Sequence, residues 1–241
     1  MSFLGASGQG KLATPIGVAV DEARDLVFVS DARHQLVFAY TRDDKTVMAI
    51  GEKDELANPG GLVIHPGTNR LYVINARGHS VRVYDVREGK FLFQFGSRGG
   101  QPGEFNFPTN IFLRGDRLYI CDGGNFRVQV FDLDGKFLRE FGKVGARLGD
   151  FARPKGIAVD SEDHVYVVDA GFDNFQIFDG DNRLLLFVGK KGAEPGEFWL
   201  PAGMHIDEHD QIYVADQYNY RVQVFQYLSE SHKTQAARGK P

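Results

Sequence analysis

The sequence predicts an all-β protein, a β-propeller of four-stranded antiparallel blades, and three observations predict it. An apolar run closed by an acid or its amide recurs five times: Phe28-Val-Ser-Asp31, Tyr72-Val-Ile-Asn75, Tyr119-Ile-Cys-Asp122, Tyr166-Val-Val-Asp169 and Tyr213-Val-Ala-Asp216. Their last residues are spaced by 44, 47, 47 and 47. Turn-forming residues part the apolar stretches between them. A period of about 40–50 residues built on short strands is that of propeller blades, each of which buries its faces against its neighbours.

Within the fourth repeat, four apolar or alternating stretches read as strands a to d: Pro154 to Asp160, Val165 to Asp169, Phe175 to Asp179 and Leu184 to Gly189. Antiparallel neighbours joined by tight turns follow from that spacing. Asp134-Gly135 joins strands c and d of repeat three, since glycine accepts the positive φ of such hairpins. Asp160 to Asp163 turns a into b. Between d and the next a runs a longer glycine-rich crossing, Gly142 to Pro154, with relatives at Gly96 to Pro108, Gly189 to Pro201, Gly5 to Pro15 and Gly51 to Pro59. In each, an apolar residue stands three before the proline: Leu12, Leu56, Phe105, Phe151 and Phe198. It is expected to plug the space under the crossing, while proline fixes φ at the start of strand a.

With 241 residues the chain can bury about 70–75% of its unfolded surface without disulfides or metals. The repeats make residues 1–228 one propeller domain, and 229–241, which lose all large apolar groups, a disordered tail. The single cysteine, Cys121, excludes a disulfide framework and reads as a buried thiol. No run of about 18 apolar residues offers a membrane span, so no membrane insertion is expected. No export signal is legible, and the compartment stays open. A net charge of −4 with scattered basic residues disfavours nucleic acid as a partner.

Repeats three and five, Asp122-Gly-Gly-Asn125-Phe-Arg127-Val-Gln-Val-Phe131 and Asp216-Gln-Tyr-Asn219-Tyr-Arg221-Val-Gln-Val-Phe225, together with Pro-x-Gly-x-Ala-Val-Asp at 15–21 and 154–160, resemble the NHL family of β-propellers. The resemblance covers about residues 3 to 228. It is similar in particular to bacterial NHL proteins often encoded near multihaem c-type cytochromes, which implies a periplasmic or extracellular setting and an exported redox protein as a partner. Repeats one, two and four depart from the pattern: His34 and Leu36, then Asn75, Gly78 and Ser80, then Phe172 and Asn174 replace the family's Asp, Asn or Arg. Family relatives commonly have six blades, and this chain has five repeats whose last lacks strand d. Either Phe3 to Gly5 supplies that strand and closes a five-bladed ring, or it is the remnant of a sixth blade and the ring is truncated.

No catalytic residue is assigned. The Asp/Asn/Arg sets suit b–c turns, their short side chains bonding local backbone and the arginine pairing with an acid at the blade boundary. His65 and His205, on or just after strands a, are the only channel candidates for a metal, but His-x-His spacing is lacking and no metal or other cofactor is expected. Asp132-Leu-Asp134 and Asp179-Gly-Asp181 hint at calcium yet read as hairpin turns. No nucleophile elbow, phosphate loop or haem-attachment motif occurs.

The clearest functional signal is aromatic. The b–c hairpins share a propeller face with the d–a crossings, and they carry Phe126, Phe172, Tyr218 and Tyr220, with Trp199 in a crossing. Arg33, His34, Arg77 and His79 occupy the same rim in the other blades. Exposed aromatics beside charges are interface anchors, so the expected function is a non-catalytic scaffold that binds a protein or peptide there. The alternatives are a metal-dependent lyase or lactonase acting in the central channel and an RNA-binding NHL domain.

Overall fold

A computed structural model describes residues 11–43, 45–51 and 55–228 of the chain. It divides into two compact units, Met1–Glu140 and Phe141–Pro241. In the first lie the sheets β1 (Pro15–Asp21), β2 (Leu26–Asp31), β3 (Leu36–Thr41), β4 (Thr46–Ile50); β5 (Pro59–His65), β6 (Arg70–Asn75), β7 (Ser80–Asp85), β8 (Phe91–Phe95); and β9 (Pro108–Arg114), β10 (Arg117–Asp122), β11 (Arg127–Asp132), β12 (Phe137–Phe141), whose last residue passes the boundary. The second holds β13 (Pro154–Val159), β14 (Val165–Asp169), β15 (Asn174–Phe178), β16 (Leu184–Val188) and a sheet of β17 (Met204–Ile206), β18 (Gln211–Asp216) and β19 (Arg221–Gln226). Within each sheet every strand neighbours the next in sequence, as in the antiparallel fourth sheet, the meander that the turn residues predict.

Among the described residues the last sheet has three strands. The reading of Phe3 to Gly5 as its fourth, or as the remnant of a further blade, lies outside the described residues, and so does the tail 229–241. No described helix is long and apolar enough to cross a membrane.

Inner strands approach one another closely within each unit. A Cβ added to Gly60 on β5 would stand 2.6 Å from the carbonyl oxygen of Thr109 on β9, so only glycine allows this contact. The crossing plugs are where their sequence position puts them. Leu56, Phe105, Phe151 and Phe198 are fully buried, and Leu12 packs at the edge of the Val29, Phe38 and Tyr40 cluster. Phe198 lies against Phe175 and Phe225, with ring centroids 6.1 and 6.0 Å away. Gly189, at φ 104°, leaves room for it: a Cβ there would be 2.4 Å from the ring. Cys121 is buried. Asp132 and Asp179 each accept two backbone N–H groups from the hairpin they open, as turn residues do.

Candidate interaction face

Each b–c turn is built on its strand-ending acid or amide. In repeats three and five a single turn of 3-10 helix follows (Gly123–Asn125 and Gln217–Asn219). Asn125 Nδ2 donates to Asp122 Oδ2 at 2.8 Å and to the Gly99 carbonyl of the crossing at 2.8 Å. Asn219 does the same with Asp216 and Gly192, at 2.9 and 2.8 Å. Arg127 adds bonds to Asp122 (3.0 Å), to Glu140 of β12 (2.9 Å) and to the carbonyls of Gly100, Gln101 and Glu104. Arg221 pairs with Asp216 at 2.8 Å and reaches the carbonyls of Ala193, Glu194 and Glu197. These side chains therefore fasten a b–c turn to the crossing beside it and put both on one face. The acids that pair with these arginines, Asp122, Glu140 and Asp216, belong to the arginine's own sheet and not to a neighbouring blade.

One residue of every b–c turn is held at positive φ: Gln35, His79, Phe126, Asp173 and Tyr220, at 57°, 50°, 57°, 52° and 52°. None is glycine, and for a bulky side chain this conformation is unfavourable by about 1 kcal/mol or more. The sequence pattern did not disclose it, because the usual signal for left-handed backbone is a glycine.

In the second unit Trp199, Tyr218 and Tyr220 are 44%, 47% and 94% exposed. Trp199 and Tyr218 form a pair with ring centroids 5.4 Å apart, tied by the Tyr218 N–H donating to the Trp199 carbonyl at 3.1 Å. Phe172 is half-buried. In the first unit Arg33, His34 and Arg77 are exposed and Phe126 is half-buried. His34 Nδ1 lies 3.2 Å from Asp31, with its ring edge-on to Phe38. His79 departs from the expected rim position, since it is buried. Its Nδ1 accepts the Phe107 N–H at 3.2 Å and its ring lies tilted against that of Phe107 with centroids 4.7 Å apart. The exposed group at that place is Phe107, which the sequence reading missed; its position just before Pro108, matching Leu200 before Pro201, was the available signal.

Two of the turn acids, Asp216 and Asp31, contribute to the pH dependence of folding. Burial pushes the Asp216 carboxyl up, but the N–H of Trp199, the Asn219 amide and the Arg221 guanidinium outweigh it and hold it below the usual carboxylate range. Asp31 is lowered likewise, with the backbone N–H groups of His34, Ala13 and Thr14 prevailing over burial. Stability from such groups is fully present above the unfolded-state value and is lost as pH falls through the folded one. Urea titrations at pH 7 and pH 3 should show a loss that begins below about pH 4. Asp216→Asn should flatten that slope, and an unchanged slope would contradict the assignment.

His65 closes β5, its Nδ1 accepting the Thr68 N–H at 3.0 Å and its Nε2 lying 3.3 Å from Asp116. In the other unit His205 is exposed on β17. Among the described residues no three His, Cys, Asp or Glu side chains gather as a metal would require.

Known proteins share this architecture. Residues 108–179 match a family described as 6-bladed beta-propeller, and residues 198–225 match the NHL repeat. The human E3 ubiquitin-protein ligase NHLRC1 is 30% identical over 78 residues, 32% of this chain and 20% of that protein. Its rat counterpart is 33% identical over 85 residues, 35% of this chain and 21% of that protein; the matched stretch thus spans about a fifth of these relatives. Virginiamycin B lyase from Staphylococcus aureus superposes with a TM-score of 0.63 at 12% identity, covering 90% of this chain and 71% of that one. Hydrazine synthase from Kuenenia stuttgartiensis gives 0.62 at 14% identity, over 98% and 83%. At such identities the likeness is one of fold alone. With the antiparallel meanders, these matches show a fold of β-propeller blades in which residues 198–225 carry the NHL repeat.

Proposed function

We propose that this protein is a non-catalytic scaffold that binds a protein or peptide on the face made by its b–c turns and d–a crossings. The observation that carries this reading is Tyr220, a large aromatic held at φ 52° and 94% exposed. Packing over the blade top would bury the ring, and this one gains almost nothing from the fold that strains it. Beside it in sequence and on the same loops stand the Trp199–Tyr218 pair, so the second unit offers three aromatic anchors of the kind that dominate interface energies. Ligase, lyase and synthase activities belong to the proteins that bear those names, and the face supports recognition without them.

Peptide display against the intact chain tests the proposal. Selected peptides should bind a Trp199→Ala/Tyr218→Ala/Tyr220→Ala variant at least about 30-fold more weakly, the effect of losing about 2 kcal/mol at anchor residues. Because the three side chains are exposed, the variant's denaturation midpoint should move little. Equal affinity for both proteins would overturn the reading.

A further inference from the structure

The fourth repeat keeps the frame of its neighbours and changes what fills it. In repeats three, four and five, Gln129, Gln176 and Gln223 make the same two bonds. Each side-chain oxygen accepts a crossing N–H, from Gly103, Gly149 and Gly196, and each Nε2 donates to the carbonyl of Glu104, Asp150 and Glu197. The crossings fold alike too, Phe105, Phe151 and Phe198 each donating to the carbonyl eight residues back at 2.8, 2.8 and 2.9 Å. In repeats three and five an arginine occupies the space under this frame. In repeat four the residue at that place is Asn174, Phe187 replaces the acid Glu140, and Phe172 replaces Asn125.

A pocket of about 280 Å³ lies there, lined by Ala146, Arg147, Asn174, Gln176, Phe172 and Phe187 among others. That is below the roughly 300–1,000 Å³ of drug-sized sites and suits a single side chain. Ala146, Arg147 and Asp150 correspond to the residues whose carbonyls accept the guanidinium of Arg127 and Arg221. Asn174 Oδ1 is buried without a hydrogen-bond partner, which is rare among buried polar atoms. At the root of the turn, buried Asp169 accepts the N–H groups of Ala152, Arg153, Gly171 and Phe172, and among the described residues no cation pairs with it. The floor thus presents acceptors in the arrangement that a planar donor fork fills in the sister repeats, and two phenyl rings line the pocket where guanidinium faces favour aromatic surfaces.

We propose that this pocket binds the guanidinium group of an arginine side chain carried by a partner. Arg147, Lys190 and Lys191 also line it. Lys190 is drawn off by Glu197 at 3.2 Å, while Arg147 and Lys191 leave positive charge at the mouth, so the arginine that enters is one flanked by Asp or Glu. The inference deepens the scaffold reading by naming what one part of that face recognises.

The test uses the full chain, labelled for NMR, and a capped Asp-Arg-Asp peptide with its citrulline and lysine versions. The arginine peptide should give saturable shifts at the Asn174 side-chain amide and at the Ala146 and Arg147 backbone, with the other two at least tenfold weaker. Asn174→Arg rebuilds the sister arrangement; it should remain folded with an undiminished Tm and lose at least tenfold in affinity. Phe187→Glu, an exposed change that restores the acid, should tighten arginine binding severalfold and serves should Asn174→Arg fail to fold. Equal binding of the citrulline peptide, shifts that leave Asn174 unmoved, or full affinity in Asn174→Arg would overturn the proposal. Display-selected peptides that lack arginine yet still depend on Trp199, Tyr218 and Tyr220 would, in that event, leave the scaffold reading standing.

Discussion

Replacing Arg127 with alanine is expected to lower folding stability by about 3–5 kcal/mol, the loss typical when one partner of a buried ion pair is removed. Its side chain is 8% exposed and that of Asp122 is not exposed at all, and the guanidinium serves two carboxylates and three carbonyls. Without it those acceptors stay buried and under-satisfied. Arg221→Ala is the internal comparison. Its side chain is 29% exposed and among the described residues Asp216 is the one carboxylate that pairs with it, so about 1–3 kcal/mol is expected, with water replacing part of what is lost. Denaturant titration of both variants decides the matter, and equal losses would contradict a role set by burial.

Phe198→Ala should cost a further large amount, about 3–5 kcal/mol, through the cavity left under its crossing. The ring is fully buried between Phe175 and Phe225. The crossing above it is pinned by the Phe198 N–H donating to the Lys190 carbonyl at 2.9 Å, so the backbone has little freedom to collapse into the gap. Phe198→Leu, which keeps most of the volume, should cost less than about 1.5 kcal/mol. A midpoint shift below 1 kcal/mol for the alanine variant, with unchanged denaturant slope, would show that the plug is dispensable.

Strands, hairpins and plugs were legible in the sequence because each follows from local chemistry: period-two apolar runs, glycine or aspartate in turns, proline at the head of strand a. Burial was less legible, because it depends on what lies across a sheet. Val128 and Val130 of β11 are buried, while Val222 and Val224 of β19, in an identical Arg-Val-Gln-Val-Phe run, are exposed. Val18 and Val20 differ in the same way from Ile157 and Val159 in matching Pro-x-Gly-x-Ala-Val-Asp elements. His79 went unrecognised as a buried residue for the same reason: its cover is Phe107, nearly thirty residues further along the chain. The degenerate Asn174 was visible as a departure from the pattern. What the departure opens required the carbonyls and rings around it.

Hydrogen–deuterium exchange of the intact protein, with and without a display-selected peptide, tests the central claim most directly. Protection should fall on the d–a crossings and b–c turns of the second unit, residues 143–153, 171–173, 190–200 and 217–220, and leave its a–b turns 161–164 and 208–210 unchanged. Protection centred on those a–b turns would place recognition on the opposite loops and contradict the account.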